Sequence, residues 1–150
     1  MIELGHHTDR KPPFRYAVYT RVAFSDTDAQ GVVYYGRYLP YFDLARTEYH
    51  RQLGPVEVER SEFVVRASSV EYLAPARFDD LLEVFVRIAR IGRTSVNYLY
   101  AAHHVSEGAG DVLMVTASQT LVLIDHRTRA TVPVPRRFGE RVSEFEGVEL

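Results

Sequence analysis

The chain has no cysteine. That absence excludes a disulfide framework, a thiolate metal site and a cysteine nucleophile, so covalent chemistry falls to oxygen or nitrogen. A run of about 18 apolar residues is also missing, as is a basic-then-apolar leader at the N-terminus, and the cytoplasm is therefore the expected compartment. Basic charge is scattered rather than massed, and the net charge is −2, which removes a broad electrostatic footprint for nucleic acid. A local cluster of arginines can still serve a small anionic ligand. Internal repeats, low-complexity tracts and linkers are absent too.

What is present is the balance of one compact domain, 150 residues of which 46% are hydrophobic and 25% charged. A chain of this size buries roughly 70% of its unfolded surface and can fold alone. A single domain over residues 1–150 is expected, with a loose arm at 1–14 because "MIELGHHTDRKPP" is polar and carries a proline pair. His6 and His7 are read as solvated rather than metal-binding, since the arm offers no convergent ligands.

From Tyr16 to Phe24 the residues alternate, Tyr16, Val18, Thr20, Val22 and Phe24 on one face, as in a strand. From about Arg37 to Leu53 the spacing becomes helical, with Tyr38, Leu39, Phe42, Ala45, Tyr49 and Leu53 on one face and Gly54-Pro55 as the stop. Pro40 then falls in the first turn, where its missing N–H costs little. Tyr41 and Leu44 widen the apolar arc, which predicts a helix enclosed by a curved sheet.

Four long β-rich segments follow, about 63–73, 81–91, 94–105 and 112–124. Their short junctions, marked by Pro75, Gly92 and Gly108 with Gly110, predict antiparallel hairpins between neighbours. No βαβ alternation occurs, which removes doubly wound folds. The last strand has mixed faces, so both sides of the sheet need cover. A second copy of the chain is one way to supply it, and a homodimer or larger assembly is expected. A short helix is expected near Pro135, closing the domain.

Between the first strand and the helix lies "FSDTDAQGVVYYGRY", Phe24 to Tyr38. Four readings compete. Oxygen ligands at Asp26 and Asp28 with Gly31 fit the opening of a calcium loop, but the position that needs a bidentate Glu is Arg37. Aspartyl-phosphate chemistry would want a parallel sheet. The residues also suit a plain turn, a role favoured for Asp26. Lastly, a carboxylate beside the unpaired amides of a helix N-terminus makes a hydrolytic site. Residue chemistry alone leaves the last two open.

The stretch from Phe24 to Gly54 resembles the N-terminal motif of the hot-dog fold acyl-CoA thioesterases of the 4-hydroxybenzoyl-CoA thioesterase type, with a D-x-D-x-x-G-x-V-Y-(Y/H)-x-x-Y pattern. "VEYLAPARFDDLLEV", Val70 to Val84, is similar to the family's Y-x-x-P-A-x-x-D-D-x-L junction, and "IGRTSVNY" is a weaker match. The resemblance implies an α+β fold in which a curved antiparallel sheet wraps a long central helix. It also implies that Asp28 is the catalytic carboxylate and that the backbone amide of Tyr35 polarises the thioester carbonyl. Gly31, Val33, Tyr34, Gly36 and Tyr38 would shape the substrate site. For the Tyr34 and Tyr38 rings core packing is the competing expectation.

Some members carry His where Tyr35 stands; the backbone role survives that change. Arg90, Arg93, Thr94 and Ser95 are expected to meet the phosphates of a coenzyme A ligand, against the alternative that they are exposed hairpin residues deterring edge pairing. Arg136 and Arg137 are further candidates for an anion. Asp43 and Glu48 are expected to be interface groups or salt-bridge partners of Arg46 and Arg51, and the adjacent His103 and His104 to point to opposite faces. No metal and no separate cofactor are expected, coenzyme A being part of the substrate, and the partner is an acyl-CoA or acyl-carrier-protein thioester. The assembly would be a dimer or a dimer of dimers. The alternatives are a non-catalytic acyl-thioester module and a hydratase or dehydratase of the same fold, the latter disfavoured because no His precedes His50 in the loop or helix.

Overall fold

The computed structural model describes residues 2–54, 61–108 and 110–150. Among these, six strands form one antiparallel sheet, β1 Gly5–His7, β2 Tyr16–Arg21, β3 Ser61–Tyr72, β4 Leu81–Ile91, β5 Ser95–Val105 and β6 Val112–Asp125, in the order β1-β2-β4-β5-β6-β3. The long helix α1 is Tyr38–Leu53 and a second helix, α2, is Arg136–Glu146, preceded by Pro135. Among the described residues no helix is long and apolar enough to cross a membrane.

α1 lies against the sheet because its apolar arc meets the inward side chains of the central strands. Tyr41, Phe42, Ala45 and Tyr49 share one core cluster with Val84 and Val86 of β4, Tyr98 and Tyr100 of β5 and Val115 of β6. The buried arc includes Tyr41 but not Leu39, which is 38% exposed. Gly54 ends the helix at φ 85°, a left-handed value that suits glycine; Pro55, the other half of the expected stop, lies outside the described residues.

Two expectations are corrected. The junction at Pro75 is not a hairpin: β3 pairs with β6, and β4 pairs with β2 and β5. The chain leaves β3 at the far edge of the sheet and must cross to reach β4 beside β2, so the short linker carries a crossover. Nor are residues 1–14 a loose arm throughout. Gly5–His7 pair with β2, His6 Nε2 lies 2.6 Å from Glu83 Oε2, and Arg10 forms an ion pair with the same buried carboxylate. His6 is thus half-buried, stacked on Tyr19, rather than solvated. Phe14 packs on Phe85 and Ala101 on the outer face of the sheet, so the chain itself covers part of the side expected to need a second copy.

Candidate active site

The aspartate loop is fixed from both ends. The first strand stops at Arg21, and Phe24–Asp26 form a 3-10 turn. Asp26 Oδ2 accepts from the Ala23 amide at 2.9 Å and from the Tyr41 hydroxyl at 2.7 Å, which ties the turn to the helix. Burial and this acidic neighbour push the Tyr41 hydroxyl well above its ordinary pKa, so it stays a donor. Arg37 Nε stands 4.0 Å from Asp26 Oδ1. Asp26 is therefore committed to holding the loop, the role expected of it, and a cationic side chain faces it where a calcium reading needs anionic ligands.

Asp28 is handled differently. Its main chain closes the loop, the amide bonding Val32 O at 2.9 Å and the carbonyl accepting from Gly31 N–H at 3.0 Å. Gly31 has φ 79°, and an added Cβ would meet nothing within 4 Å, so the glycine is required for its backbone angle rather than for space. The Asp28 side chain takes one local bond, from the Gln30 amide to Oδ1 at 2.8 Å. Asp28 lines a cleft of about 350 Å³ with Val32, Val33, Tyr35, Tyr38, Tyr72, Leu73, Ala74 and Pro75.

The far wall of this cleft is the start of a helix. Tyr35–Arg37 form a 3-10 turn that runs directly into α1. The bond that opens the turn is Arg37 N–H to Tyr34 O, 2.8 Å, so the amides of Tyr35 and Gly36 precede it and have no partner within the turn. Val33 N–H to Ala76 O, 2.8 Å, and Tyr34 N–H to Asp26 O, 2.9 Å, anchor the approach. Asp28 and Tyr35, the residue that opens the turn into the helix, thus share one apolar, aromatic-walled cleft. Such a wall can seat an uncharged acyl group, and the amides can receive an oxygen that gains negative charge.

Of the residues expected at the site, Asp28, Val33, Tyr35 and Tyr38 line the cleft. Tyr38 is 3% exposed, packed in the core, and also lines the cleft. Tyr34 is 45% exposed, its ring tilted against that of Tyr35 with centroids 4.4 Å apart, so it is not packed in the core. Gly31 and Gly36 shape backbone. Arg90, Arg93, Thr94 and Ser95 are not brought to Asp28 within one chain. They sit at the β4–β5 hairpin, whereas the loop docks near the start of β4 through Val22 N–H to Asp80 O. Ten residue steps of strand separate Leu81 from Ile91, roughly 30 Å.

Arg136 is paired with Glu140 at 3.0 Å and Arg137 is exposed on the same helix. Asp43 pairs with Arg46 at 2.7 Å and Glu48 with Arg51 at 3.0 Å, as expected from the sequence. His104 lies 3.5 Å from Asp80, while His103 packs on Phe85. Among the described residues no group of three or more His, Cys, Asp or Glu is placed to hold a metal ion.

The sequence does not mark residues 72–75 as site residues, although they stand inside the "VEYLAPARFDD" stretch. Their signal is Pro75, which reads as a strand stop; the same stop delivers Tyr72 to the cleft.

A family model described as thioesterase superfamily matches residues 30–111 of this chain. The chain belongs to the thioesterase superfamily. The matched span takes in Tyr35 and the 72–75 wall and begins two residues after Asp28. The acyl-CoA thioester hydrolase YbgC of Escherichia coli O6:H1 is 45% identical over 87 residues, which cover 55% of this chain and 63% of that protein. The chain therefore aligns with less than two thirds of the length of that relative. The solved structure of a probable thioesterase from Bartonella henselae is 32% identical, with a TM-score of 0.69 over 79% of this chain and 96% of that one. A 4-hydroxybenzoyl CoA thioesterase complexed with 4-hydroxybenzoyl CoA is similar in fold, with a TM-score of 0.79 at 19% identity over 85% of this chain and 97% of that one. The helix wrapped by an antiparallel sheet is the hot-dog fold that the resemblance implied.

Proposed function

We propose that the protein hydrolyses acyl-CoA thioesters to the free acid and thiol, with Asp28 as the carboxylate that delivers the attacking oxygen and the Tyr35 amide as oxyanion donor. The supporting observation is the contrast within one loop: Asp26 is consumed by structural bonds, whereas Asp28 has a single local side-chain bond and lines an apolar cleft with Tyr35, whose amide has no partner within its turn. Asp28 either attacks the carbonyl itself, giving an anhydride that water opens, or takes a proton from the attacking water. The thiolate leaves without strong acid assistance. A positioned base contributes about 10²–10⁴ in rate and an oxyanion donor about 3–4 kcal/mol, so one of each suffices.

The walls supplied by Tyr35, Tyr38 and Tyr72 favour a short-chain or aromatic acyl group, carried by coenzyme A or by acyl-carrier protein. A phosphate contact from Arg90 or Arg93 to a thioester at Asp28 needs a second copy of the chain, because the hairpin of one chain lies roughly 30 Å away along the strand. A homodimer, or a dimer of dimers, is accordingly part of the proposal. No histidine is among the residues lining the cleft, which weighs against a hydratase.

The test is thiol release from a panel of acyl-CoAs and acyl-carrier-protein thioesters by the wild type and by Asp28→Asn. Hydrolysis abolished by the substitution is the expected result. Unaltered turnover removes Asp28 from its role, and a wild type inert on every thioester favours a binding module.

A further inference from the structure

Tyr72 is the last residue of β3 and one of the most exposed aromatic residues in the cleft wall, at 49%. It stands on firm ground: it is paired with Val115 of β6, and the two amides that follow, of Leu73 and Ala74, both donate to Met114 O at 2.8 and 3.1 Å. From that base its hydroxyl donates to the Tyr35 carbonyl at 3.1 Å. Its ring meets Tyr35 edge-on at 6.3 Å and Tyr38 at 5.8 Å.

The Tyr35 turn itself is lightly held. The Tyr35 side chain is 60% exposed, and the next residue, Gly36, contributes no side chain to packing. Two peptide planes flank Tyr35. The first, carrying the Tyr35 N–H, is fixed by the Arg37 amide on Tyr34 O. The second, carrying the Gly36 N–H, has its carbonyl held by Tyr72. A donor on the carbonyl of a peptide also polarises the N–H at the other end of the same plane. The hydroxyl thus orients and strengthens the Gly36 N–H and holds Tyr35 from its carbonyl side, from a different element.

We propose that Tyr72 is a positioning residue for thioester hydrolysis, its hydroxyl fixing the Tyr35–Gly36 peptide and so holding in place Tyr35, whose amide is the oxyanion donor of the functional reading. This rests on the functional reading above. Rigid placement of donors before charge develops is what makes an oxyanion site effective, so loss of the hydroxyl acts on kcat. Loss of the ring also removes cleft wall and acts on KM.

Tyr72→Phe keeps the ring and deletes the hydroxyl. It is expected to lower kcat about five- to twentyfold with KM within about twofold, and to speed hydrogen exchange at the Gly36 amide, read by NMR. Tyr72→Ala is expected to lower kcat similarly and to raise KM as well. Tyr72→Phe with wild-type kcat and wild-type exchange at Gly36 overturns the proposal, as does a rise in KM alone. If Asp28→Asn is inactive while Tyr72→Phe is fully active, only this proposal falls. If the wild type hydrolyses no acyl thioester, the functional reading falls and takes this proposal with it.

Discussion

Polar side chains at the two ends of α1 have opposite fates. Toward its C-terminal end they satisfy one another in the core. Tyr49 donates to Glu146 Oε2 at 2.5 Å, and the same oxygen accepts from the Ile88 amide at 3.2 Å. Tyr98 bonds His50 Nε2 at 2.5 Å, and Arg46 reaches both the Tyr100 hydroxyl at 3.1 Å and Gln119 Oε1 at 2.8 Å. At the N-terminal end, Asp28 has one bond from its own loop and the Tyr35 and Gly36 amides have none within their turn.

Paired polar groups in a core give the fold definition but have nothing left for a ligand. Groups left open in a cleft do little for stability and are free to change partners during a reaction. Substitutions at the two ends should accordingly divide, stability at one and activity at the other.

The sharpest stability effect is expected at Glu146. Glu146→Ala strands the Tyr49 hydroxyl and the Ile88 amide, both buried, and should cost about 2–4 kcal/mol by denaturant titration. Glu146→Gln keeps an oxygen that can accept both bonds and removes a buried charge. Burial holds the Glu146 carboxyl above its ordinary pKa, so the amide should be tolerated or mildly stabilising at neutral pH. A severe loss in the Gln variant would mean that the charge itself holds α2.

His50 gives the next effect. Burial, reinforced by Arg46, lowers its pKa from 6.5 to about 4, which suits a neutral ring accepting from Tyr98. With the folded pKa depressed, the unfolded chain takes up a proton near pH 6.5 that the folded chain refuses until about pH 4. Stability from this group is complete above pH 6.5 and should decline by up to about 3 kcal/mol on acidification toward pH 4. A His50→Gln variant should lose that portion of the slope, and an unchanged slope would place the acid sensitivity elsewhere.

The smallest effect is expected at the hairpin. Arg93 is exposed, so Arg93→Ala should leave stability within about 0.5 kcal/mol. It should raise KM for an acyl-CoA a few-fold without touching KM for the same acyl group on a short thiol lacking the nucleotide. Equal effects on both substrates would separate the hairpin from nucleotide binding.

How much of this was legible in the sequence depended on how far each residue's partner lies along the chain. Period alone found α1 to within a residue of its start and β4 at Leu81–Ile91, because burial of one face is a local property. Strand order was not local. The short Pro75 junction reads as a hairpin, but β3 must pair with β6 at the far edge for the sheet to close around the helix. The N-terminal arm reads as loose because its partner, Glu83, is 77 residues from His6.

In the loop, two aspartates of similar setting could be ranked only by family resemblance. What separates them physically is Tyr41, fifteen residues beyond Asp26, whose hydroxyl fastens one carboxylate and leaves the other facing the cleft. Tyr72 was hidden for the same reason, standing 37 residues from the carbonyl it holds.

The most direct measurement is kcat/KM for thiol release, taken beside the thermal midpoint, in Asp28→Asn and Asp26→Ala. The account predicts a crossed result. Asp28→Asn should lose about 10²–10⁴ in kcat/KM at nearly wild-type stability, and Asp26→Ala, which removes the acceptor of both the Ala23 amide and the Tyr41 hydroxyl, should lose about 1–3 kcal/mol of stability while keeping most of its turnover per folded molecule. An Asp28→Asn protein that turns over thioesters like the wild type would contradict it.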